Sequence, residues 1–500
     1  MNDIKKDRRY QNIRIGDRVD FTRCFSMESF QEFSRLSRDS NPLHHDMTYV
    51  MATSFQQPIQ PLHLTSIPLS AIAGMMLPGH RSYYLGCQMR ALYPASYHVD
   101  ITYSSKVVAK NDHLQTITLR TIAFQGVRII LDAEQIIQVR DDIASEMAPH
   151  HDMDITIKSV SLDRTALITG ASGAIGSAMA LRLASHGFNL ILTSRSRDAE
   201  FEGHVLQRCQ EYGVEVEWIT VDLESEANEL SPLVSRLGAG SVVTDLVHVA
   251  SPRVHATANE LLNVNYTAMK TLTEAFLPQV LRRQEGRVLF TGSSAVQQAP
   301  LGWEDYSAAK AAASQYITAM NNHYGQYGFT GWILAPGLVA TRFSEGLRGM
   351  NTQCLQPEEV AESAYALLNG RHGNSGGYFL LESGAPPRLG RFGFYFSETS
   401  TVPKALPLAD DTGKSSSAPA INASEGDFDR LFRQFFRLGS AVDISQARVG
   451  ESPYWDSLRH IEFILFLESK WGLSFNSGEM DGTKRYLDLK KLLASKIGNV

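Results

Sequence analysis

"TALITGASGAIGSAMALRLASHG", residues 165–187, decides how the middle of this 500-residue chain is read. An apolar, β-rich run gives way to Gly170, Gly173 and Gly176, and these open a helical pattern. Glycine there lets the backbone turn tightly and approach a bound group, and free amides at a helix start favour an anion such as a pyrophosphate. Glycine turns recur by chance in α/β proteins, so the position between strand and helix is what gives the spacing its weight. Working outward, "NLILTSR" (189–195), "VEWITVD" (216–222), "DLVHVAS" (245–251), "GRVLFTGSS" (286–294) and "GFTGWILAPG" (328–337) are further apolar runs separated by helical stretches. This alternation predicts an α/β domain over 155–395, a Rossmann-type doubly wound parallel sheet with helices on both faces.

Chemistry-bearing residues follow the same order. "LTSRSR" ends the second strand and offers Arg195 where a NAD site would place an acid for the ribose 2′-hydroxyl. A guanidinium suits a 2′-phosphate through charge-assisted hydrogen bonds, so NADP(H) is expected; the plain alternative is a solvated surface arginine. "YSAAK" puts Tyr306 and Lys310 four apart on one helix face. An ammonium beside a phenol of pKa about 10 would bring it down toward the working range. Ser293, in "FTGSSAV" thirteen positions before the tyrosine, could hold a substrate carbonyl oxygen. Singly, Tyr306 reads equally as a packing residue and Lys310 as a solvated charge.

Together, at this order and spacing, they resemble the short-chain dehydrogenase/reductase family over roughly 164–386. The resemblance implies Ser293, Tyr306 and Lys310 as the catalytic set, with Asn265 of "NVNYTA" supporting Lys310 through water. It also implies a cofactor held by Gly170, Gly173, Gly176, Arg195, Tyr306 and Lys310. Asp222 of "VDL" would lie near the adenine, and "PGLVAT" (336–341), ending at Thr341, beside the nicotinamide. Ala174 stands where many members have a glycine, and "HVAS" (248–251) replaces the usual Asn-Ala-Gly.

Residues 1–150 follow another pattern. After an early helical stretch, "YHVDITYSSKVVA" (97–109), "LQTITLRTIAF" (114–124) and "RIILDAEQIIQVR" (128–140) alternate as antiparallel strands do. An α+β arrangement around a helix is predicted. "FSRLSRDSNPLHHD" (33–46) sets Asp39 and His44 across a turn made by Asn41 and Pro42. That is either a structural turn or an acid–base pair, one member taking an α-proton while the other protonates a departing β-hydroxyl. The run resembles R-specific enoyl-CoA hydratases and related MaoC-like dehydratases of the hotdog fold, over roughly 10–140, with "PLHLTSIPLSAIAGMML" (61–77) as the implied central helix. Where that family has glycine before the aspartate, this chain has Arg38; where it has His-Gly at the head of the helix, this chain has Pro61 and Leu62. Pro61 has no N–H to offer a developing oxyanion. Two readings stay open, an active dehydratase using Asp39 and His44, or an inert domain serving dimerisation or acyl binding.

"SETSTVPKALPLADDTGKSSSAPAINASEG" (397–426) lacks apolar periodicity, and a flexible linker is predicted over 396–424. Beyond it, Asp456-Ser457 opens an apolar stripe of Leu458, Ile461, Ile464 and Leu465, flanked by the helical patterns "FDRLFRQFFRLG" and "YLDLKKLLASKI". Ser457 would serve as an ordinary helix cap on that pattern alone. Residues 425–500 as a whole resemble acyl carrier proteins, which implies an all-α four-helix bundle carrying 4′-phosphopantetheine on Ser457. Tyr454 and Trp455 replace the small residues usual before the aspartate.

Composition frames these expectations. A net charge of −6 gives no basic footprint for nucleic acid, and no apolar run reaches membrane-spanning length. Four scattered cysteines lack metal-ligand spacing, so no metal is expected, and the charged N-terminus lacks a signal-peptide core; a cytoplasmic protein is expected. The three segments fit one reaction sequence, reduction of a 3-oxoacyl thioester by NADPH and dehydration of the 3-hydroxyacyl product. Fatty-acid- or polyketide-like biosynthesis is the expected setting. Condensing and acyl-loading enzymes in trans and a phosphopantetheinyl transferase are expected partners, and the chain is expected to form at least a dimer.

Overall fold

β6 (Thr165–Thr169) is buried at every position, as a strand covered on both faces must be. The computed structural model describes residues 8–141, 164–196, 205–224, 230–238, 240–298, 300–347, 353–370, 376–383, 388–390, 425–436, 443–448, 463, 464, 467, 483 and 485–497. Two units are resolved, Met1–Glu398 and Thr399–Val500, and each is described by itself.

In the first unit β6 is joined by β7 (Asn189–Ser194), β8 (Val216–Thr220), β9 (Asp245–His248), β10 (Gly286–Thr291), β11 (Phe329–Pro336) and β12 (Gly377–Leu381). These strands run parallel in the order β12-β11-β10-β9-β6-β7-β8, and β13 (Arg388–Gly390) adds an antiparallel edge beside β12. The chain winds outward from β6 to β8, then crosses back to β9 on the other side of β6. That reversal leaves a crevice beyond the carboxyl ends of β6 and β9, where α/β sheets bind ligands. One face is covered by helices Met269–Arg283 and Glu304–Tyr324, through Leu272, Phe276 and Ile317. The other is covered by Ala174–Ala184 and Pro357–Leu368, through Met179, Leu183, Val360 and Leu367.

The N-terminal part of the same unit is an antiparallel sheet of β1 (Arg18–Arg23), β2 (Ser82–Ala91), β3 (Ile101–Asn111), β4 (Thr116–Gln125) and β5 (Arg128–Val139), ordered β1-β3-β4-β5-β2. One face packs on a broken helical run, Leu62–Ser66, Pro68–Ala71 and a π-turn Ile72–Met76. Leu64, Leu69, Ile72 and Met76 meet Tyr103, Leu119, Leu131 and Ile137 there. Pro68 cannot donate a helical hydrogen bond, and the sheet takes up carbonyls of the run. The Tyr103 hydroxyl donates to Thr65 at 2.6 Å, and Gln135 Nε2 to Leu69 at 2.9 Å.

The other face lies against the parallel-sheet part, and Ile122, Phe124 and Ile129 share a core with Met269 and Phe276. Around them runs a polar seam. Gln284 caps helix Met269–Arg283 in the left-handed conformation, at φ 48°, and is buried. Its Nε2 donates to the carbonyls of Ser104 (3.0 Å) and Arg120 (3.1 Å), while Ser104 Oγ donates back to Arg282 (2.9 Å). Arg282 also meets Asp20 at 3.2 Å, and Lys106 meets Glu285 at 3.6 Å. The alternation along β3 explains the division: Thr102, Ser104 and Lys106 face the seam, whereas Ile101 and Tyr103 face the helical run.

In the second unit, helices Glu425–Phe435 and Tyr486–Ile497 share a core in which Phe428, Phe432, Phe436, Phe463 and Tyr486 cluster. Phe432 lies 4.7 Å from both Phe436 and Tyr486, between ring centroids. Asp429 accepts from the Tyr486 hydroxyl and from Lys490. Asp456, Ser457 and the linker at 396–424 lie outside the described residues. Among the described residues no helix is long and apolar enough to cross a membrane.

Gln284→Ala strips two buried carbonyls of their donor. It should lower the urea stability of the full chain by about 1–3 kcal/mol. Gln284→Gly should lose less, because it relieves the left-handed backbone while making the same deletion. Equal stability of Gln284→Ala and the unmodified chain would show the seam to be energetically idle.

Candidate active site

The turn after β6 is built on contacts too close for a side chain. At Gly170 (φ 68°) a Cβ would lie 2.7 Å from the Ala250 Cα, and at Gly176 one would lie 2.2 Å from the Gly170 carbonyl oxygen. Gly173 caps helix Ala174–Ala184, and Ser177 Oγ donates to the Ala171 carbonyl at 2.9 Å. A cleft of about 850 Å³ runs from this turn along the carboxyl ends of the strands. Gly170, Gly173, Gly176, Arg195, Asp222, Ser293, Tyr306, Lys310 and Thr341 all line it. Asn265 stands behind the lining, wholly buried.

At one end of the cleft the Arg195 side chain is 69% exposed and pairs with Glu224 at 3.3 Å. Asp222 accepts the Glu224 amide at 3.0 Å and so fixes the turn that presents this carboxylate. Glu224 was not singled out from sequence. It gives the guanidinium a competing partner that a phosphate would have to share or displace.

At the other end Tyr306 and Lys310 are sealed, with 6% and 1% exposure, against Val254, Leu261 and Ala309. Burial pushes the phenol up to about 12, against a hydrogen bond to Ser293 that pulls it down. Burial also pushes the Lys310 ammonium down to about 7. The phenol is thus raised, where its spacing from Lys310 predicts a lowering. Desolvation disfavours both charged forms. Tyr306 keeps its proton, as a proton donor should. Lys310 Nζ donates to the Thr291 carbonyl at 2.8 Å.

Asn265 sits in a π-turn, Asn263–Ala268, a form frequent at functional sites. Its Nδ2 donates to the Leu261 carbonyl at 2.9 Å, and its Oδ1 is buried without a partner among the described residues. His248 is the residue that sequence reasoning flagged only as a departure. Its Nε2–H donates to the Val264 carbonyl at 3.0 Å, and its Nδ1 accepts from the Thr169 hydroxyl at 2.9 Å. Thr169 Oγ1 in turn accepts the amides of Val249 (3.2 Å) and Ala250 (3.4 Å). Burial, helped by the Lys310 charge, pushes the imidazole down to about 3 and keeps it neutral. One ring thus ties β6, the cleft floor and the π-turn together.

Asp39 and His44 converge in the antiparallel-sheet part. His44 Nδ1–H donates to the Ile59 carbonyl at 2.8 Å, which turns Nε2 toward Asp39 Oδ2 at 3.9 Å. That separation is an approach without a hydrogen bond. Asp39 Oδ1 accepts the Asn41 amide at 3.1 Å, and Asn41 Oδ1 accepts that of Leu43 at 3.0 Å. Arg38 ends helix Met27–Ser37 with left-handed backbone, φ 66°, the conformation glycine would take most easily. Among the described residues no group of three or more His, Cys, Asp or Glu is placed to hold a metal.

A very-long-chain 3-oxoacyl-CoA reductase of Caenorhabditis elegans is 28% identical to this chain over 195 residues, 36% of this chain and 61% of that protein. The chain thus spans about three fifths of the length of that curated relative. An (R)-specific enoyl-CoA hydratase of Aeromonas caviae is 28% identical over 130 residues, 26% of this chain and 97% of that protein. A crystal structure of a 3-oxoacyl (acyl-carrier-protein) reductase from Agrobacterium tumefaciens, with NADP bound, aligns over 44% of this chain and 94% of its own. Its TM-score is 0.40, at 28% identity. Residues 164–351 match the family described as short chain dehydrogenase, and with them the middle of the chain carries an oxidoreductase domain of that kind.

Proposed function

We propose that this chain reduces a 3-oxoacyl thioester with NADPH and dehydrates the 3-hydroxyacyl product, the acyl chain being held on a 4′-phosphopantetheine arm at Ser457. The observation that carries the reductive half is the gathering of Ser293 with the buried Tyr306 and Lys310 along one glycine-floored cleft.

The turn at Gly170, Gly173 and Gly176 fits a pyrophosphate, since a Cβ at Gly170 or Gly176 would meet backbone. Asp222 would lie near the adenine, Arg195 toward a 2′-phosphate, and Thr341 beside the nicotinamide. When bound, NADPH supplies a hydride for the β-carbon. Ser293 orients the β-carbonyl oxygen, and Tyr306 gives that oxygen its proton. Lys310 lies behind the phenol, and the orphaned Asn265 Oδ1 suits a water that would support it. In the antiparallel-sheet part, a His44 Nδ1–H on the Ile59 carbonyl supports one division of roles. Its Nε2 would take the α-proton, and the Asp39 carboxyl would protonate the β-oxygen.

The similarity to an (R)-specific enoyl-CoA hydratase supports this second half. Pro61 and Leu62 favour a second reading, in which the hotdog-like segment is inert and serves dimerisation or acyl binding. Condensing and acyl-loading enzymes and a phosphopantetheinyl transferase would act as its partners. The cytoplasm and an assembly of at least two chains complete the proposal.

Tyr306→Phe keeps the ring and deletes the proton donor. NADPH oxidation with a 3-oxoacyl thioester should fall at least ~10²-fold in kcat, with NADPH affinity nearly unchanged. Turnover close to that of the unmodified chain would show that another group donates.

The arm has its own test. Co-expression with a phosphopantetheinyl transferase should add one arm to the unmodified chain and none to Ser457→Ala, by intact mass spectrometry. If Ser457 only caps its helix, no arm appears on either protein, and the substitution costs about 1 kcal/mol of helix stability.

A further inference from the structure

Tyr97 carries a polar group that the fold does not explain. Its hydroxyl is buried and has no hydrogen-bond partner among the described residues. Such an orphan costs about 1–3 kcal/mol, and buried tyrosine hydroxyls usually find an acceptor. Its place in the fold is specific. Neighbouring Ser96 bridges Ile59, and Gln60 Nε2 donates to the Ser96 carbonyl at 2.8 Å. Ile59 is the residue whose carbonyl orients His44. One short strip therefore pins both the tyrosine segment and the imidazole. The Tyr97 ring stands edge-on to Phe30, with centroids 6.5 Å apart, and Phe30 lies 5.9 Å from the His44 ring. Burial holds the phenol well above the ordinary tyrosine range, so it remains an O–H donor.

We infer that the Tyr97 hydroxyl binds the β-oxygen of a 3-hydroxyacyl thioester beside Asp39, as the donor that stabilises this oxygen while it leaves as water. The inference rests on the reading of Asp39 and His44 as a dehydrating pair. In the step, His44 Nε2 takes the α-proton, and the freed electron pair forms the α,β double bond. The β-carbon–oxygen bond breaks with its electron pair on oxygen, and the Asp39 proton completes the water. Tyr97 keeps its own proton throughout. Because His44 is the base, Asp39 faces the leaving oxygen, and Tyr97, which packs on Phe30 as His44 does, offers its donor on that side. The orphaned O–H has its acceptor in the reactant.

The test uses the full chain with the 2-butenoyl and 3-hydroxybutanoyl thioesters of pantetheine. Tyr97→Phe should lose about 10²-fold in kcat in both directions with little change in KM. NADPH-dependent reduction by the same preparation reports that the chain is folded. Activity lost in His44→Ala but kept in Tyr97→Phe would overturn the inference and leave the dehydrating pair standing. An unmodified chain no more active than His44→Ala would overturn both. A second measurement needs no change at Tyr97. In His44→Ala protein labelled with tyrosine ¹³Cζ, the Tyr97 resonance should move on adding 3-hydroxybutanoyl pantetheine. A resonance that stays in place would overturn the inference.

Discussion

The close approach of helix Ala174–Ala184 to the end of β6 is the constraint on which the cleft depends. The Gly170 carbonyl lies where a Gly176 side chain would have to be, and Gly170 itself lies against Ala250. A methyl group at either position would separate the helix from the strand or the strand from its neighbour. The carboxyl ends of β6 and β9 are therefore drawn together at the point where strand order reverses. His248 completes the closure from beneath, reaching Thr169 on one side and Val264 on the other. Cleft floor and π-turn are thus set by the same few contacts that set the sheet.

Burial does the electrostatic work at the reactive end. Three ionisable groups, Tyr306, Lys310 and His248, are driven toward their neutral forms by loss of water. A phenol that keeps its proton suits the proposed reduction, in which the oxygen formed at the β-carbon would be protonated. The backbone contribution is small but placed: Thr291 takes one Lys310 proton, and the π-turn leaves the Asn265 oxygen unused. The lowering of the phenol that its spacing from Lys310 suggests gives way to a rise through burial.

What the sequence discloses is what depends on local pattern. The glycine turn, the parallel strands, and Tyr306 and Lys310 on one face are read from spacing within short windows, and the structure gathers them around one cleft. Glu224, His248 and Tyr97 escape such reading because their partners lie far along the chain or act through the backbone. The seam escapes it for another reason. Thr102, Ser104, Lys106 and Arg120 alternate with apolar residues as a solvent-facing strand edge would, and their partners, Arg282 and Gln284, look like the polar end of an ordinary helix. Polar patterning marks the absence of an apolar core, and a polar interface looks the same as water. Two sheets that the sequence separates at about residue 150 therefore share one unit.

That shared unit bears on how the proposed reactions would follow one another. Gln284 donates into β3 and β4 from the end of a helix that also packs on the parallel sheet, so the two sheets are joined by buried hydrogen bonds as well as by apolar contact. A product made beside Tyr306 cannot be met by the Asp39–His44 pair moving toward it without breaking those bonds. On the proposed reading, the acyl chain has to do the travelling. A tether then changes the kinetics rather than the chemistry, because it replaces release and recapture by a search within the reach of the arm and linker. Tethering would help most where the free thioester is scarce, and little where it is abundant.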